Sequence, residues 1–268
     1  LPDGAVATPS ITNTGDLNTG VYFPAADQVG ITTGGTERIR YGTPNTTEYM
    51  NRNMVLNGGM RVQQYEGVST GLGGANYTYF IDGWATYGTQ ASGRYTATQT
   101  TADVGTGAGP TGSGHSLKID ITTADTDTST ASRVTAILQK FEGQFCQHLY
   151  PGGVSGAVKT TVSFLIKSPK SGQHSVALYN VDADRTCPRT FTVASTDTWE
   201  KFSVTFPGDT GATFPPMDNT QHIWLVFPLL ANSGYHGTDN TWASGEGYGV
   251  SGNVNICDNT SNNLYLTD

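Results

Sequence analysis

Hydrophobic and polar positions in this chain alternate with a period of two far more often than with a period near 3.6. Val158, Thr160, Val162, Phe164 and Ile166 occupy every second position over a strand's length, as a strand with one face on a core requires. Residues 116–121, 133–140, 174–181, 189–193, 199–206, 222–230 and 263–267 read as further strands, separated by Gly-, Pro-, Asn- and Asp-rich connections. Thr, Val, Tyr and Gly, all poor helix formers, fill most windows. Only residues 142–149, ahead of Pro151-Gly152-Gly153, predict a short helical turn. Many short strands joined by turn chemistry predict an all-β sandwich or barrel.

Residues 1–41 follow a different rhythm. Val21 and Phe23, Val29 and Ile31, then Ile39 and Tyr41 form three brief alternating pairs. Pro24-Ala25-Ala26-Asp27 and Thr33-Gly34-Gly35-Thr36 stand between them as turns. This predicts a three-strand β-meander with about six core side chains, each worth ~1.5–3 kcal/mol when buried. That offsets little of the ~1–2 kcal/mol per residue that ordering the backbone costs. The apolar face therefore needs a partner. Identical strands of sister chains around a three-fold axis are the natural one, and packing on the chain's own larger domain, or partial disorder, is the alternative. Val21, Phe23, Val29, Ile31 and Ile39 are the candidate oligomerisation residues. Residues 42–53, polar and containing Pro44, read as a linker, and a second domain spans 54–268.

Two stretches resemble known proteins. Pro9-Ser10-Ile11, Gly15-Asp16-Leu17-Asn18-Thr19-Gly20-Val21-Tyr22-Phe23-Pro24, Val29-Gly30-Ile31 and Gly34-Gly35-Thr36-Glu37-Arg38-Ile39 resemble a motif of phage tail fibres and other virion appendages. The resemblance implies a short intertwined β-structure in the shaft or neck of a homotrimer. Asn53-Met54-Val55-Leu56-Asn57-Gly58-Gly59-Met60-Arg61-Val62-Gln63-Gln64, followed by Tyr79 and Asp82-Gly83-Trp84, resembles the opening of a jelly-roll domain in phage and prophage fibre proteins. Gln139-Lys140-Phe141-Glu142-Gly143, residues 160–167, Trp199 and Leu264-Tyr265-Leu266-Thr267-Asp268 fit the same pattern. That resemblance implies a fold like a carbohydrate-binding module. Tyr65 departs from it, because an Arg often follows the Gln at this point, and relatives continue past the position of Asp268. The start at Leu1 rather than Met leads us to expect residues upstream.

Composition narrows the partners. Only 13% of residues are charged, and the formal net charge is −8. The 14 Lys and Arg are scattered without a basic stripe, which argues against nucleic acid as a partner. No apolar run approaches the ~20 residues of a membrane span. Cys146, Cys187 and Cys257 are odd in number and far apart, and read as buried thiols rather than a disulfide framework or zinc site. A virion protein assembled in a reducing host cytoplasm fits that usage.

Candidate chemistry is sparse. The chain has no Gly-x-Ser-x-Gly elbow, and its five His residues lack metal-ligand spacing and read as surface or turn residues. Gly71-Leu72-Gly73-Gly74 opens no P-loop. Acids in Thr/Gly-rich loops make a poor general acid pair, and no rung repeat of a depolymerase β-helix is present. We therefore expect no enzyme and no cofactor. Asp125 and Asp127 form a weak Ca²⁺ candidate, since two carboxylates supply only part of six to eight oxygens.

Two aromatic clusters are candidate binding surfaces. Tyr77, Tyr79, Phe80, Trp84 and Tyr87 read mainly as core, as do Trp199 and Trp224. Tyr235, His236, Asp239, Trp242 and Tyr248 lie in a stretch without strand pattern and are the candidate ligand residues. The reading is a non-enzymatic tail-fibre-type appendage on the virion's outer surface or tail, with a host glycan or protein and other virion proteins as partners. The alternative is a head fibre, capsid decoration or collar protein with a purely structural role. A polysaccharide depolymerase comes third.

Overall fold

A computed structural model of the chain describes residues 1–42, 53–64, 68–74, 77–101 and 114–268. The linker expected at 42–53 lies, apart from Gly42 and Asn53, outside the described residues. Strands take up 49% of the chain and helical turns 7%, so the fold is all-β, as the alternation predicts. The one expected helical turn forms at Gly143–Cys146 and continues as a 3-10 turn over Gln147–Leu149. No helix among the described residues is long and apolar enough to cross a membrane. The chain forms two compact units, Leu1–Asn53 and Met54–Asp268.

In the first unit, β1 (Gly4–Ala5) and β2 (Thr8–Pro9) form a two-stranded ribbon. β3 (Ile11–Asn13), β4 (Asp16–Tyr22), β5 (Gln28–Thr33) and β6 (Thr36–Gly42) form an antiparallel sheet in chain order, one strand more than the meander predicted. The β5–β6 loop is Gly34-Gly35, at φ +59° and +70°, the left-handed conformation that a tight two-residue hairpin needs. The two faces of this sheet differ. On one, Tyr22 and Thr32 are buried, and the Thr32 hydroxyl donates to the carbonyl of Val6 in the β1–β2 turn, 2.9 Å. The other face carries the cross-strand row Ile11–Val21–Ile31–Ile39, flanked by the pair Val29–Tyr41. Ile39 on this face is 43% exposed, and Ile11, Val29 and Tyr41 are exposed too. The apolar pairs read from the sequence therefore do not form the unit's own core. That core is Tyr22, Thr32 and Pro9 on the opposite face. Phe23 falls one residue beyond β4, half-buried, its N–H donating to the Asp3 carbonyl.

The second unit is a jelly-roll sandwich. One sheet has the order β16-β13-β19-β11-β10-β7, with β7 (Val68–Leu72), β10 (Arg94–Thr100), β11 (Ser116–Thr123), β13 (Thr160–Lys167), β16 (Trp199–Phe206) and β19 (Asn263–Thr267). The other has the order β18-β15-β14-β17-β12-β9-β8, with β8 (Tyr79–Ile81), β9 (Trp84–Thr89), β12 (Val134–Glu142), β14 (Gly172–Asn180), β15 (Arg185–Val193), β17 (Gln221–Ala231) and β18 (Ala243–Ser244). Trp84, Ile137, Leu225, Phe227 and Phe191 from the seven-stranded sheet meet Tyr95, Ile119, Phe164, Ile166 and Leu266 from the six-stranded one. The Phe164 ring sits 5.0 Å from Phe191 and 5.1 Å from Phe227, edge to face.

The opening motif latches the two ends of this unit. Asn57, in a left-handed turn, bonds through its side chain to Val62 and to the Asp82 carbonyl. The Gln139 amide pairs both backbone groups of Leu56, at 2.7 and 2.8 Å, and Asp268 N–H donates to the Gly58 carbonyl. Residues that carry the jelly-roll resemblance thus satisfy one another across the chain.

Candidate functional site

Strands β9, β12, β14 and β17 occupy the middle of the seven-stranded sheet and alternate across it. Their inward positions feed the sandwich core. Their outward positions, on the face turned away from the six-stranded sheet, form a second apolar cluster. Register places Tyr179, Trp224 and Lys140 in one row across β14, β17 and β12. The next row is Ala177, Val226, Leu138 and Ala85, and Tyr87 stands opposite Ala136 in the row beyond. Small aliphatic side chains thus make a floor, and aromatic rings stand around it.

The rings contact one another. Tyr77 stacks on Tyr87 at 5.3 Å and meets Trp224 edge-on at 5.4 Å. Tyr179 meets Trp224 at 5.2 Å and Tyr248 at 5.7 Å, and Tyr235 stacks on Tyr248 at 5.9 Å. The Lys140 ammonium lies 3.8 Å from the centroid of Tyr77 and 4.9 Å from that of Trp224, a cation–π arrangement. Polar groups rim the rings: the Tyr87 hydroxyl donates to Glu246 at 2.7 Å, Tyr179 to Asp184 at 3.0 Å, and the Trp224 indole to Gln221 at 3.1 Å. Trp224 is 4% exposed and forms the base, whereas Tyr77 is 46% exposed and forms the accessible surface. Burial, reinforced by the nearby Glu246 carboxylate, pushes the Tyr77 phenol up to about 12, and burial lowers the Lys140 ammonium. Tyr77 is therefore a neutral ring with a hydroxyl to share at physiological pH.

Tyr248 is fully buried, and its hydroxyl has no partner among the described residues. An unpaired buried hydroxyl costs free energy that a phenyl ring avoids. Tyr248→Phe is expected to leave stability unchanged or raise it by about 1 kcal/mol in urea unfolding. A loss of that size would show instead that the hydroxyl has a bonding partner such as an ordered water.

The five candidate ligand residues of the 235–248 stretch do not form one site. Tyr235 and Tyr248 join the outer-face cluster, but Tyr248 is a packing residue and not a contact surface, which corrects the sequence reading. Trp242 turns the other way: it packs on the sandwich core and donates its indole N–H to the Pro207 carbonyl at 2.7 Å. Asp239 accepts from the Thr190 N–H at 2.7 Å and faces Arg189 at 3.6 Å, pinning the loop to β15. His236 reaches the Ala231 carbonyl at 3.0 Å. Phe80 and Trp84 are core residues as expected, whereas Tyr77, Tyr87 and Trp224 belong to the outer face. Trp199 is half-buried on β16, edge-on to Tyr265.

The Ca²⁺ candidate is corrected as well. Asp125 is buried, and both its oxygens face the Arg133 guanidinium, at 2.8 and 2.9 Å. It also accepts from Ser92 and Asp127 N–H groups. Burial disfavours its charge, but these donors outweigh that and hold its carboxyl below the ordinary carboxylate range. Asp127 is occupied by Ser129, Thr130 and Arg133. Arg133 thus stands where a cation needs to be, and no group of three or more His, Cys, Asp or Glu suited to a metal exists among the described residues. Two histidines read as surface or turn residues are buried instead: His174 in the sandwich, and His222 against Asp182 at 2.5 Å. All three cysteines are buried thiols, and burial pushes Cys146 and Cys187 up to about 12.

No family model matches the chain, and no curated protein sequence matches it. Among solved structures it is similar to the enzymatically active domain of tailspike protein 4 of bacteriophage CBA120, at 8% identity and a TM-score of 0.34 over 80% of this chain. It is also similar to a CBM4 structure, at 14% identity and a TM-score of 0.33, over 80% of this chain and 95% of that one. The third is the CBM22-1–GH10 part of a Clostridium thermocellum xylanase complexed with xylohexaose, at 10% identity and a TM-score of 0.31 over 69% of this chain. The chain spans 20% of the tailspike chain's length and 25% of the xylanase's.

Proposed function

We propose that this protein is a non-enzymatic adhesion component of a virion appendage of the tail-fibre type. It binds a host-surface glycan through the outer face of the seven-stranded sheet. The observation that carries this reading is the exposed Tyr77 ring, backed by Tyr87 and Trp224 and bordered by Lys140, Tyr179 and Glu246. Pyranose rings present C–H faces that stack on aromatic rings and hydroxyls that bond to nearby amides and carboxylates. A site built of neutral phenols over a rigid aliphatic floor suits such a ligand. The floor sits on four central strands, so the rings are preorganised. The sequence resemblance to phage appendages supports the location on the particle's outer surface or tail, after assembly in the host cytoplasm.

The first unit is the assembly element in this proposal. Its row Ile11–Val21–Ile31–Ile39 with Val29 and Tyr41 is an apolar sheet face exposed at Ile11, Val29, Ile39 and Tyr41, and equivalent faces of sister chains in a homotrimer bury it. Three copies of a weak glycan site then act together by avidity. The test is binding of the labelled chain to arrayed bacterial surface polysaccharides. We expect saturable binding that Tyr77→Ala removes at unchanged thermal midpoint. Absence of binding to every surface polysaccharide of a susceptible host favours the purely structural reading.

A further inference from the structure

The charge at the outer-face site sets what kind of glycan fits. Lys140 differs from five other cations of the sandwich, each of which faces a carboxylate. Arg133 faces Asp125, Arg185 faces Asp209 at 3.0 Å, Arg189 faces Asp239, Lys118 faces Asp120 at 3.6 Å, and Lys170 is bonded to Asp258. Lys140 has no carboxylate within ion-pairing distance among the described residues, and its ammonium rests on two aromatic rings instead. Acids around the cluster are engaged: Glu246 accepts from Tyr87, Asp184 from Tyr179 and Glu142 from Gln144. Along β12, Lys140 stands four residues from Ala136, the partner of Tyr87, so Lys140 and the Tyr87–Glu246 pair lie in different rows.

We propose that this site selects an acidic glycan, seating the carboxylate of a uronate-type sugar on Lys140 while the sugar's apolar face stacks on Tyr77. The inference rests on the glycan-adhesion reading above. A half-buried ammonium without a counter-ion gains a charge-assisted bond when a carboxylate arrives. One lysine is a point charge matched to one carboxylate. The forked donors of arginine match sulfate and phosphate better than a lone ammonium does, and no arginine touches these rings among the described residues. The chain's net charge of −8, with Glu246 and Asp184 beside the rings, disfavours a densely charged polymer. The ligand is therefore a polysaccharide with sparse, singly charged carboxylates alternating with neutral sugars.

The test uses the full chain and isothermal titration with three probe pairs: a galacturonate tetramer, a hyaluronan tetrasaccharide and a sialic acid dimer, each against its own methyl ester. Esterification removes the charge and keeps the ring stereochemistry. We expect at least one acid to bind about tenfold or more tightly than its ester. Lys140→Gln should bring that acid to the level of its ester, Lys140→Arg should keep the preference, and Tyr77→Ala should weaken both forms. Thermal midpoints of the variants, whose side chains are partly exposed, verify the fold. Acids and esters that bind alike, with Tyr77→Ala still weakening them, overturn the acidic preference and leave the adhesion reading standing. A preference that survives Lys140→Gln does the same. If none of the six probes binds while host polysaccharides on the array do, the acidic preference is overturned and the adhesion reading stands; if neither binds, both fall.

Discussion

Arg133→Ala is expected to destabilise the sandwich by about 3–5 kcal/mol, the cost of leaving a buried carboxylate without its partner. The Asp125 side chain is only 1% exposed, and Arg133 faces both of its oxygens while its Nε sits 3.2 Å from Asp127. The loop they organise is a junction of the sandwich. Asp125 N–H donates to the Cys257 carbonyl, Asn255 donates to the Asp125 carbonyl, and Asn232 donates to Asp127 and Thr130 carbonyls. Against the ~5–15 kcal/mol that holds a typical domain folded, such a loss is a large fraction of the total. The pH dependence follows with a definite sign. Asp125 has a depressed folded-state pKa, so it contributes stability above its unfolded value near 3.9 and loses it as pH falls through the folded value. In the variant, burial of the unpartnered carboxyl favours its protonated form. The gap between variant and parent should therefore be widest at neutral pH and narrow below about pH 4. Urea midpoints measured from pH 3 to 8 check both points. A gap independent of pH would mean that Arg133 acts by packing alone.

How much of this was legible in the sequence depends on what each strand faces. β13 is read correctly because the outer face of its sheet is wet: Phe164 and Ile166 point inward while Thr161 and Ser163 pair with Thr205 and Ser203 on the surface. β17 carries apolar residues toward both faces, Ile223, Leu225 and Phe227 inward and Trp224 and Val226 outward. A run that is buried on both sides reads as a continuous apolar strand, and period alone cannot tell which residues face which layer. Trp224 accordingly reads as sandwich core, although it is the base of the candidate site. β9 is short and begins within two residues of β8, so Tyr87 gives no sign of facing away from Trp84. Tyr235 and Tyr248 are thirteen residues apart in a loop, and only the fold reveals that they stack together while Trp242 between them points to the opposite side of the sheet. Asp125-Thr126-Asp127 shows two acids to a reader of the sequence. The cation that answers them, Arg133, lies past Ser129 and Thr130, whose bonds turn the chain back.

Gly20→Ala is expected to dismantle the first unit and leave the sandwich intact. Gly20 stands opposite Thr12 on β3, and a Cβ there overlaps the Ile11 backbone carbonyl and lies 3.1 Å from Pro9 Cγ. The obstructing atoms are backbone, so no side-chain rotation relieves them. Overpacking of this kind costs about 1–3 kcal/mol. That is bearable for the sandwich but not for a unit this small, whose buried side chains among the described residues are Tyr22, Thr32 and Pro9. Amide exchange should therefore accelerate across β3–β6 with no change in the urea midpoint of the sandwich. The consequence for assembly is sharper. If sister chains bury the row Ile11–Val21–Ile31–Ile39, the native mass falls from trimer to monomer when the sheet is lost. Ile39→Glu, a change at an exposed position that leaves the sheet's own hydrogen bonds in place, should give the same monomer with slow exchange retained. A parent chain that is already monomeric rejects the N-terminal sheet as an oligomerisation element. A Gly20→Ala chain that remains trimeric with an unfolded first unit moves the interface to the sandwich, and with it the geometry in which three glycan sites face a host surface.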